Sequence, residues 1–219
     1  MVFLTMKGLE VSNLLIVESE GDKFFIEALL NEINLKLEIG QPICTINEYE
    51  CLGGINKLEQ KLKFVKTRVQ KEDIEKIGIV FDADMVGIEQ RKEEIKDKVK
   101  SVFGEYNDDV FSIYILNKNG VGELEDILKE IKSSNSPYAD CLESWRECLL
   151  SNEIEVSDKV FNKFWVNNYI MYDTCTKSKH RGQKSKYCIF EYAMKEKNIW
   201  NFEHPILDEL KKFLKELGE

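Results

Sequence analysis

Short apolar runs followed by longer stretches with helical spacing recur along the first 130 residues of the chain. Runs at residues 13–18, 77–82 and 110–116 are largely apolar, which indicates strands buried on both faces and is typical of a parallel sheet. A looser alternation at residues 44–51 predicts one more strand. Because each run is followed by a helical stretch, the pattern predicts an α/β fold: a parallel sheet of about four strands flanked by helices.

The pattern changes at the Ser- and Pro-containing loop of residues 133–137. Beyond it the spacing of apolar residues is helical, and we predict helices at 138–150, 157–170, 187–193 and from Pro205 to the end. The last of these carries its leucines along one side, so we expect it to pack on the sheet. The prediction is an α/β domain over residues 1–132 and a helical C-terminal extension over residues 133–219, packed on the same core.

The composition is that of a globular protein, with 43% hydrophobic and 32% charged residues among 219. No apolar run approaches the roughly 20 residues that a membrane-spanning helix needs. The first ten residues lack the basic-then-apolar pattern of a signal peptide. We therefore predict a cytoplasmic protein with no membrane partner.

Cysteine and histidine limit the kinds of metal site. The six cysteines are scattered without a Cys-x-x-Cys pair, which argues against a zinc ribbon, and we expect mostly buried, reduced thiols. His180 and His204 are the two histidines of the sequence, which excludes a histidine-rich metal site.

The net charge of −9 argues against a surface that coats nucleic acid. The charge is uneven, however, because residues 177–186 contain five basic residues and no acids: Lys177, Lys179, Arg181, Lys184 and Lys186. This basic segment either guides a phosphate backbone or is a solvated loop. An acidic protein can still bind a phosphodiester if metal ions neutralise its carboxylates.

Acidic side chains follow three of the predicted strands. Asp82 and Asp84 end the run at 77–82, and in an extended chain residues two positions apart point to the same side. Glu18 ends the first strand, and three further acids follow the last one: Glu123, Glu125 and Asp126. Because the carboxyl ends of parallel strands share one edge of the sheet, we expect these acids to converge where open α/β sheets bind ligands.

Clustered carboxylates are suited to hard divalent cations, and two such ions about 4 Å apart can activate water and stabilise a leaving oxygen in phosphoryl transfer. Mg²⁺ or Mn²⁺ is therefore the expected cofactor. The same acids also have purely structural interpretations. Asp82 and Asp84 are also suited to a turn or a helix cap, and acids in the first turn of a helix, such as Glu125, are favoured by the macrodipole.

The order of these residues resembles the Toprim domain, which topoisomerases, bacterial primases, small RNA-maturation nucleases and overcoming-lysogenization-defect nucleases share. The resemblance spans residues 13 to about 130 and includes a strand ending in an acid, then Gly and Asp, then a strand ending in Asp-x-Asp. The matching residues are Glu18, Gly21, Asp22, Asp82 and Asp84. The chain looks most similar to small stand-alone Toprim-like proteins. Ser19 stands where the family pattern has glycine.

The resemblance implies a Toprim/Rossmann-like sheet and a role for each acid. Glu18 would be the general base or a metal ligand, and Asp82 and Asp84 would hold Mg²⁺. A second ion would be held by Glu123, Glu125 or Asp126. Asp22 would cap the helix after the first strand or support the metal site.

Three functions are compatible with these residues. The leading hypothesis is a Mg²⁺-dependent nuclease acting on DNA or RNA, alone or with a partner ATPase. The alternative is a non-catalytic Toprim-like module that binds a nucleotide, a nucleic acid or a partner ATPase. A sugar-nucleotide transferase would also use Asp-x-Asp, but it normally has a longer nucleotide-binding half before that motif and gives Glu18 no role. The oligomeric state is not predicted.

Overall fold

A computed structural model describes residues 12–44, 54–71, 74–133, 135–175, 189–196 and 198–219 of the protein. One sheet contains four parallel strands in the order β2-β1-β3-β4. The strands are β1 (Ser12–Val17), β2 (Glu38–Ile39), β3 (Ile74–Asp82) and β4 (Phe111–Leu116). The predicted α/β class with a four-stranded parallel sheet is confirmed.

Helices follow each strand and make up most of the chain after residue 133. Those within the first part are α1 (Glu20–Glu32), α2 (Gly54–Gln70), α3 (Ile88–Phe103) and α4 (Leu124–Glu130). Those of the C-terminal part are α5 (Pro137–Asp140), α6 (Leu142–Ser151), α7 (Asp158–Cys175), α8 (Phe190–Glu196) and α9 (Asp208–Gly218), and a 3₁₀ turn at Pro205–Leu207 precedes α9. In the part of the chain that the structure describes, every helix is too short or too polar to span a bilayer.

The second strand differs from the prediction. β2 lies at Glu38–Ile39, before the run at 44–51, of which Cys44 alone is described; Cys44 forms an isolated parallel bridge with Ser19. The rest of that run lies outside the described residues. β2 is too short to carry a hydrophobic period, which explains why the sequence pattern does not reveal it.

The sheet is buried on both faces, as the apolar runs predict. In β1, Leu15 and Val17 face one hydrophobic cluster, while Leu14 and Ile16 face the other. Helices α2 and α3 cover the second face. The first face is covered by the helices that contribute buried residues to its cluster, namely α1, α4, α5, α7, α8 and α9. This alternation follows from the two-residue period of a strand.

The C-terminal part shares the core of the sheet. Leu217 of α9 packs on β3 at Gly78, where an added Cβ would collide with the Leu217 side chain. Phe161, Trp165 and Tyr169 of α7 are buried in the same cluster as α1 and α4. The expected packing of the final helix on the sheet is therefore observed, and α7 is brought close to the edge where the strands end.

The cysteines do not all follow the prediction of mostly buried, reduced thiols. Cys141 and Cys148 are free but exposed: Cys148 lies on α6, which has no buried residue, and Cys141 is the N-cap residue of that helix. Cys44 is buried but disulfide-bonded. The predicted burial is therefore wrong for Cys141 and Cys148, whose thiols are reduced as predicted, and the predicted reduction is wrong for Cys44, which is buried as predicted.

Candidate functional site

A pocket of about 640 Å³ lies at the carboxyl ends of β1, β3 and β4. Six carboxyl groups line it: Glu18, Asp22, Asp82, Asp84, Glu123 and Glu125. Three basic side chains also line it: Arg91, Lys159 and Lys163. Acids that are more than 100 positions apart in sequence meet here because parallel strands end at the same edge. We call this space the acidic pocket.

Glu18 lies directly after β1 and against the first residue of α2. A Cβ placed on Gly54 would lie 2.7 Å from Glu18 Cδ, so glycine is what allows this close approach. Burial raises the pKa of Glu18 to about 7, with smaller contributions from the charges of Asp22 and Asp84. Near neutral pH this carboxyl group can therefore both accept and donate a proton.

Ser19 and Asp22 fix the start of α1. Ser19 is the N-cap residue: its Oγ accepts a hydrogen bond from Asp22 N at 3.2 Å, and Asp22 Oδ2 accepts from Ser19 N at 2.8 Å. The φ of Ser19 is −124°, so the backbone does not require the glycine of the Toprim pattern at this position. Asp22 is buried, and burial raises its pKa.

Asp82 is the last residue of β3, and its Oδ1 accepts a hydrogen bond from Leu124 N at the start of α4, at 3.0 Å. Burial raises the pKa of Asp82 well above its ordinary value, and the charges of Asp22 and Glu18 add to this effect. Asp82 is thus held by a helix N-terminus, which favours a carboxylate there.

The sequence prediction assumed that the extended strand continues through Asp84, but the strand ends before this residue. Its φ is 47°, in the left-handed region, and its backbone exchanges two hydrogen bonds with Gly122 at 2.8 and 2.9 Å. Asp82 and Asp84 therefore reach the same pocket because the chain turns after β3, and not because of strand alternation. Gly122 also has positive φ, so the two turns after β3 and β4 support each other.

Arg91 of α3 is the buried basic partner of this turn. It donates to Asp84 Oδ2 at 2.6 Å, to Glu94 Oε2 at 2.9 Å and to the Asp82 carbonyl at 3.1 Å. Sequence reasoning missed Arg91. Its one available signal was its position seven residues after Asp84, in the charged helix that follows Asp-x-Asp.

Two lysines of α7 enter the pocket from the C-terminal part. Lys159 Nζ lies 3.1 Å from Asp84 Oδ1 and 2.8 Å from Glu123 Oε1, and Lys163 Nζ lies 3.4 Å from Glu123 Oε2. Burial alone would lower the pKa of Lys159, but its hydrogen bonds to Glu123 and Asp84 raise it. Sequence reasoning missed both lysines, although their spacing of four places them on one helix face.

The acids after β4 have different environments. Glu123 is the N-cap residue of α4 and is buried, while burial raises the pKa of Glu125 to about 7 against the opposing charge of Lys163. Asp126 is not among the residues that line the pocket. Its Oδ2 accepts from Glu123 N at 2.9 Å and its Oδ1 from Asn162 Nδ2 at 2.8 Å, which joins α4 to α7.

The pocket thus has two parts. In the compensated half, Asp84 and Glu123 form ion pairs with Arg91, Lys159 and Lys163. The uncompensated half consists of the four carboxyl groups that form no ion pair with a basic side chain of the described residues: Glu18, Asp22, Asp82 and Glu125. Among these, Asp22 accepts hydrogen bonds from Ser19.

Comparison with known proteins places this chain in a family. The profile described as "protein of unknown function (DUF3226)" matches residues 12–219, from β1 to the last residue of the chain. The chain belongs to the DUF3226 family. No curated protein and no solved structure matches it significantly. The DUF3226 match covers the sheet and the C-terminal helices together, so both sources of pocket residues lie within the family region.

The donor chemistry of this DUF3226 pocket suits a divalent cation. Its ligands would be carboxylate oxygens, which Mg²⁺ and Mn²⁺ prefer, and the raised pKa values of the uncompensated half mark negative charge that a cation would stabilise. In the arrangement observed, no three His, Cys, Asp or Glu side chains of the described ranges are grouped so as to hold a metal ion. The predicted basic segment, with its five Lys and Arg residues, lies outside the described residues.

Proposed function

We propose that this protein is a metal-dependent nuclease that hydrolyses phosphodiester bonds of DNA or RNA in the acidic pocket. The observation that carries the proposal is the uncompensated half, where Glu18, Asp82 and Glu125 are partly buried without a basic partner among the described residues. Such an arrangement costs stability unless protons or a cation neutralise it. The resemblance to Toprim domains supports the same assignment.

Mg²⁺ or Mn²⁺ would be held by Asp82, Asp84 and Glu123, while Glu18 and Glu125 are kept for the proton transfers. Asp126 is omitted because both of its carboxylate oxygens already accept hydrogen bonds from the protein. The chemistry that bound Mg²⁺ supplies at such a site is neutralisation of the carboxylates and Lewis-acid polarisation of the phosphodiester.

The protein's own residues would handle the protons. Water attacks phosphorus and the bond from phosphorus to the leaving ester oxygen breaks. Glu18, with a pKa of about 7, takes the proton from the attacking water. Glu125, with a similar pKa, supplies the proton to the leaving oxygen. Lys163, which is 48% exposed, is available to a phosphate oxygen at the mouth of the pocket.

Cleavage of labelled single- and double-stranded DNA and RNA in Mg²⁺ or Mn²⁺ tests the proposal. We expect cutting that EDTA abolishes, and a loss of at least about 100-fold in Glu18→Gln and Asp82→Asn, in line with removal of a general base or a metal ligand. Asp97→Asn on the exposed face of α3 is the matched control and should cut normally. Absence of metal-dependent cutting on all four substrates would contradict the proposal.

A non-catalytic binding module is the alternative, and one observation favours it. Asp84 is already paired with both Arg91 and Lys159, so one of the two predicted Asp-x-Asp ligands is engaged within the protein. A module of this kind would bind a nucleotide, a nucleic acid or a partner ATPase without cutting. Binding of a labelled oligonucleotide that Asp82→Asn leaves unchanged, with no cleavage, is the outcome that would favour it.

A further inference from the structure

The position of one ammonium group in the acidic pocket suggests more than surface pairing. Lys159 Nζ bridges carboxylates that follow two different strands, Asp84 after β3 and Glu123 after β4. The distances from Nζ to the two carboxylate oxygens, 3.1 and 2.8 Å, place one positive charge between two acids, as a bound metal ion would be placed. Both acids are distant from Lys159 in sequence. The two contacts therefore depend on the packing of α7 over the end of the sheet.

Arg91 is the other basic partner of Asp84, and its environment differs from that of Lys159. The Arg91 side chain is 9% exposed and has three hydrogen-bond acceptors, including the Asp82 carbonyl, so moving it would leave buried charges unpaired. The Lys159 side chain is 56% exposed and hydrogen bonds to the two carboxylates alone among the described residues. An exposed lysine can return its ammonium to water at little cost. Of the two basic partners of Asp84, Lys159 is therefore the one that can leave the pocket.

We infer that Lys159 is a built-in cation of the acidic pocket that competes with a divalent metal ion for Asp84 and Glu123, and that metal binding displaces it. The inference rests on the proposed function for the identity of the ion. It adds that the chain itself sets the metal affinity of the site.

Lys163 provides an internal comparison. It approaches Glu123 at 3.4 Å and makes no ion pair with Asp84 among the described residues, so it bridges no two strand ends. The two lysines lie one helical turn apart on α7 and have similar exposure, 56% and 48%. Substitution of either lysine removes one positive charge from the same pocket. Substitution of Lys159 also removes the ion pair between α7 and Asp84, whereas substitution of Lys163 leaves that ion pair intact.

Mn²⁺ binding measured by electron paramagnetic resonance, with Mg²⁺ calorimetry beside it, tests the inference. Because a charge pair at this distance in a partly exposed pocket changes an equilibrium by about one order of magnitude, we expect Lys159→Met to bind Mn²⁺ about tenfold more tightly than wild type. Lys159→Arg, which keeps the charge, should bind like wild type, and Lys163→Met should tighten binding by about threefold or less. Lys212→Met, on the exposed face of α9, is the distant control.

A second readout separates competition from a purely structural role. Without metal, Lys159→Met should melt at a lower temperature than wild type, because Asp84 and Glu123 lose a partner. With saturating Mn²⁺ its melting temperature should rise by more than that of wild type. Loss of stability in both conditions, with unchanged Mn²⁺ affinity, would overturn the inference and assign Lys159 a structural role.

The outcomes also separate this inference from the proposed function. If wild type binds Mn²⁺ and Lys159→Met binds it equally or more weakly, the competition is wrong while the metal-dependent nuclease stands or falls on the cleavage assay. If neither protein binds Mn²⁺ at millimolar concentration, both the competition and the metal site are wrong. If Mn²⁺ binds as expected but no substrate is cut, the competition holds and the nuclease assignment fails.

Discussion

The two halves of the acidic pocket carry similar side chains but balance their charge in different ways. In the compensated half, Arg91 and the two lysines of α7 neutralise Asp84 and Glu123. In the uncompensated half, burial raises the pKa values of Glu18 and Glu125 to about 7. The acids lie together because they follow parallel strands that end at one edge of the sheet. The basic residues of the helices packed there determine which acids remain available for a proton or a cation.

The largest expected effect breaks the compensated half. Arg91→Met should lower the free energy of unfolding by about 3 kcal/mol, because it leaves Asp84 with Lys159 as its one basic partner among the described residues and removes the donor to Glu94 and to the Asp82 carbonyl. Urea denaturation followed by circular dichroism measures it. Lys100→Met, an exposed cation on the same helix, should change stability by less than about 0.5 kcal/mol. Equal losses in the two variants would contradict the role of Arg91.

The next effect concerns the uncompensated half and pH. The pKa of Glu18 and that of Glu125 rise from 4.5 to about 7 on folding. Between these values the folded protein binds more protons than the unfolded chain, so the free energy of unfolding falls as the pH rises through this window. We expect a loss of about 2 kcal/mol from each of these two carboxyl groups between pH 5 and pH 8 without metal.

Urea denaturation at a series of pH values checks this dependence. Glu18→Gln and Glu125→Gln should each flatten the profile, because neither amide titrates. Mg²⁺ should restore much of the stability of wild type at pH 8. A profile with the same slope in all three proteins would show that these carboxyl groups do not carry the effect.

A smaller effect tests the close approach of Glu18 to α2. Gly54→Ala places a methyl group against the Glu18 carboxyl group and should cost about 1 kcal/mol. The cost should shrink when Glu18→Ala is introduced as well, because the truncated side chain leaves room for the methyl group. A double-mutant cycle measures this coupling. Additive losses would mean that Gly54 is needed for the helix alone.

The smallest effect sharpens the compensated half. Lys163→Met should lower the free energy of unfolding by less than about 0.5 kcal/mol, since Lys163 is 48% exposed and its contact with Glu123 is 3.4 Å long. The same denaturation series measures it beside Arg91→Met. A loss as large as that of Arg91→Met would show that exposure does not distinguish the two cations.

The fold was largely predictable, because strands buried on both faces contain runs of consecutive apolar residues. β1 and β4 lie where their runs predict, and β3 begins three residues before its run, at Ile74. β2 escaped prediction because two residues at the sheet edge need no apolar pattern. The helical C-terminal part was predictable as helices, but its packing over the pocket was not.

The acids of the site could be predicted better than their partners. Topology alone brings Glu18, Asp82 and Asp84 to one edge of the sheet, and these residues stand at strand ends in the sequence. The chain contains 31 basic residues, and nothing in their local sequence marks Lys159. Lys159 reaches the acids of the pocket because α7 packs against α4, and this packing could not be predicted from the sequence. The left-handed turn at Asp84 was also not predictable, because its hydrogen-bond partner, Gly122, is distant in sequence.

Calorimetric titration of Mg²⁺ into the metal-free protein tests the central claim most directly, namely that the acidic pocket is a divalent-cation site. Wild type and Asp97→Asn should bind Mg²⁺ alike, while Asp82→Asn should lose binding because it removes charge from the uncompensated half. Equal Mg²⁺ binding by Asp82→Asn and wild type, or no binding by wild type at millimolar Mg²⁺, would contradict the account.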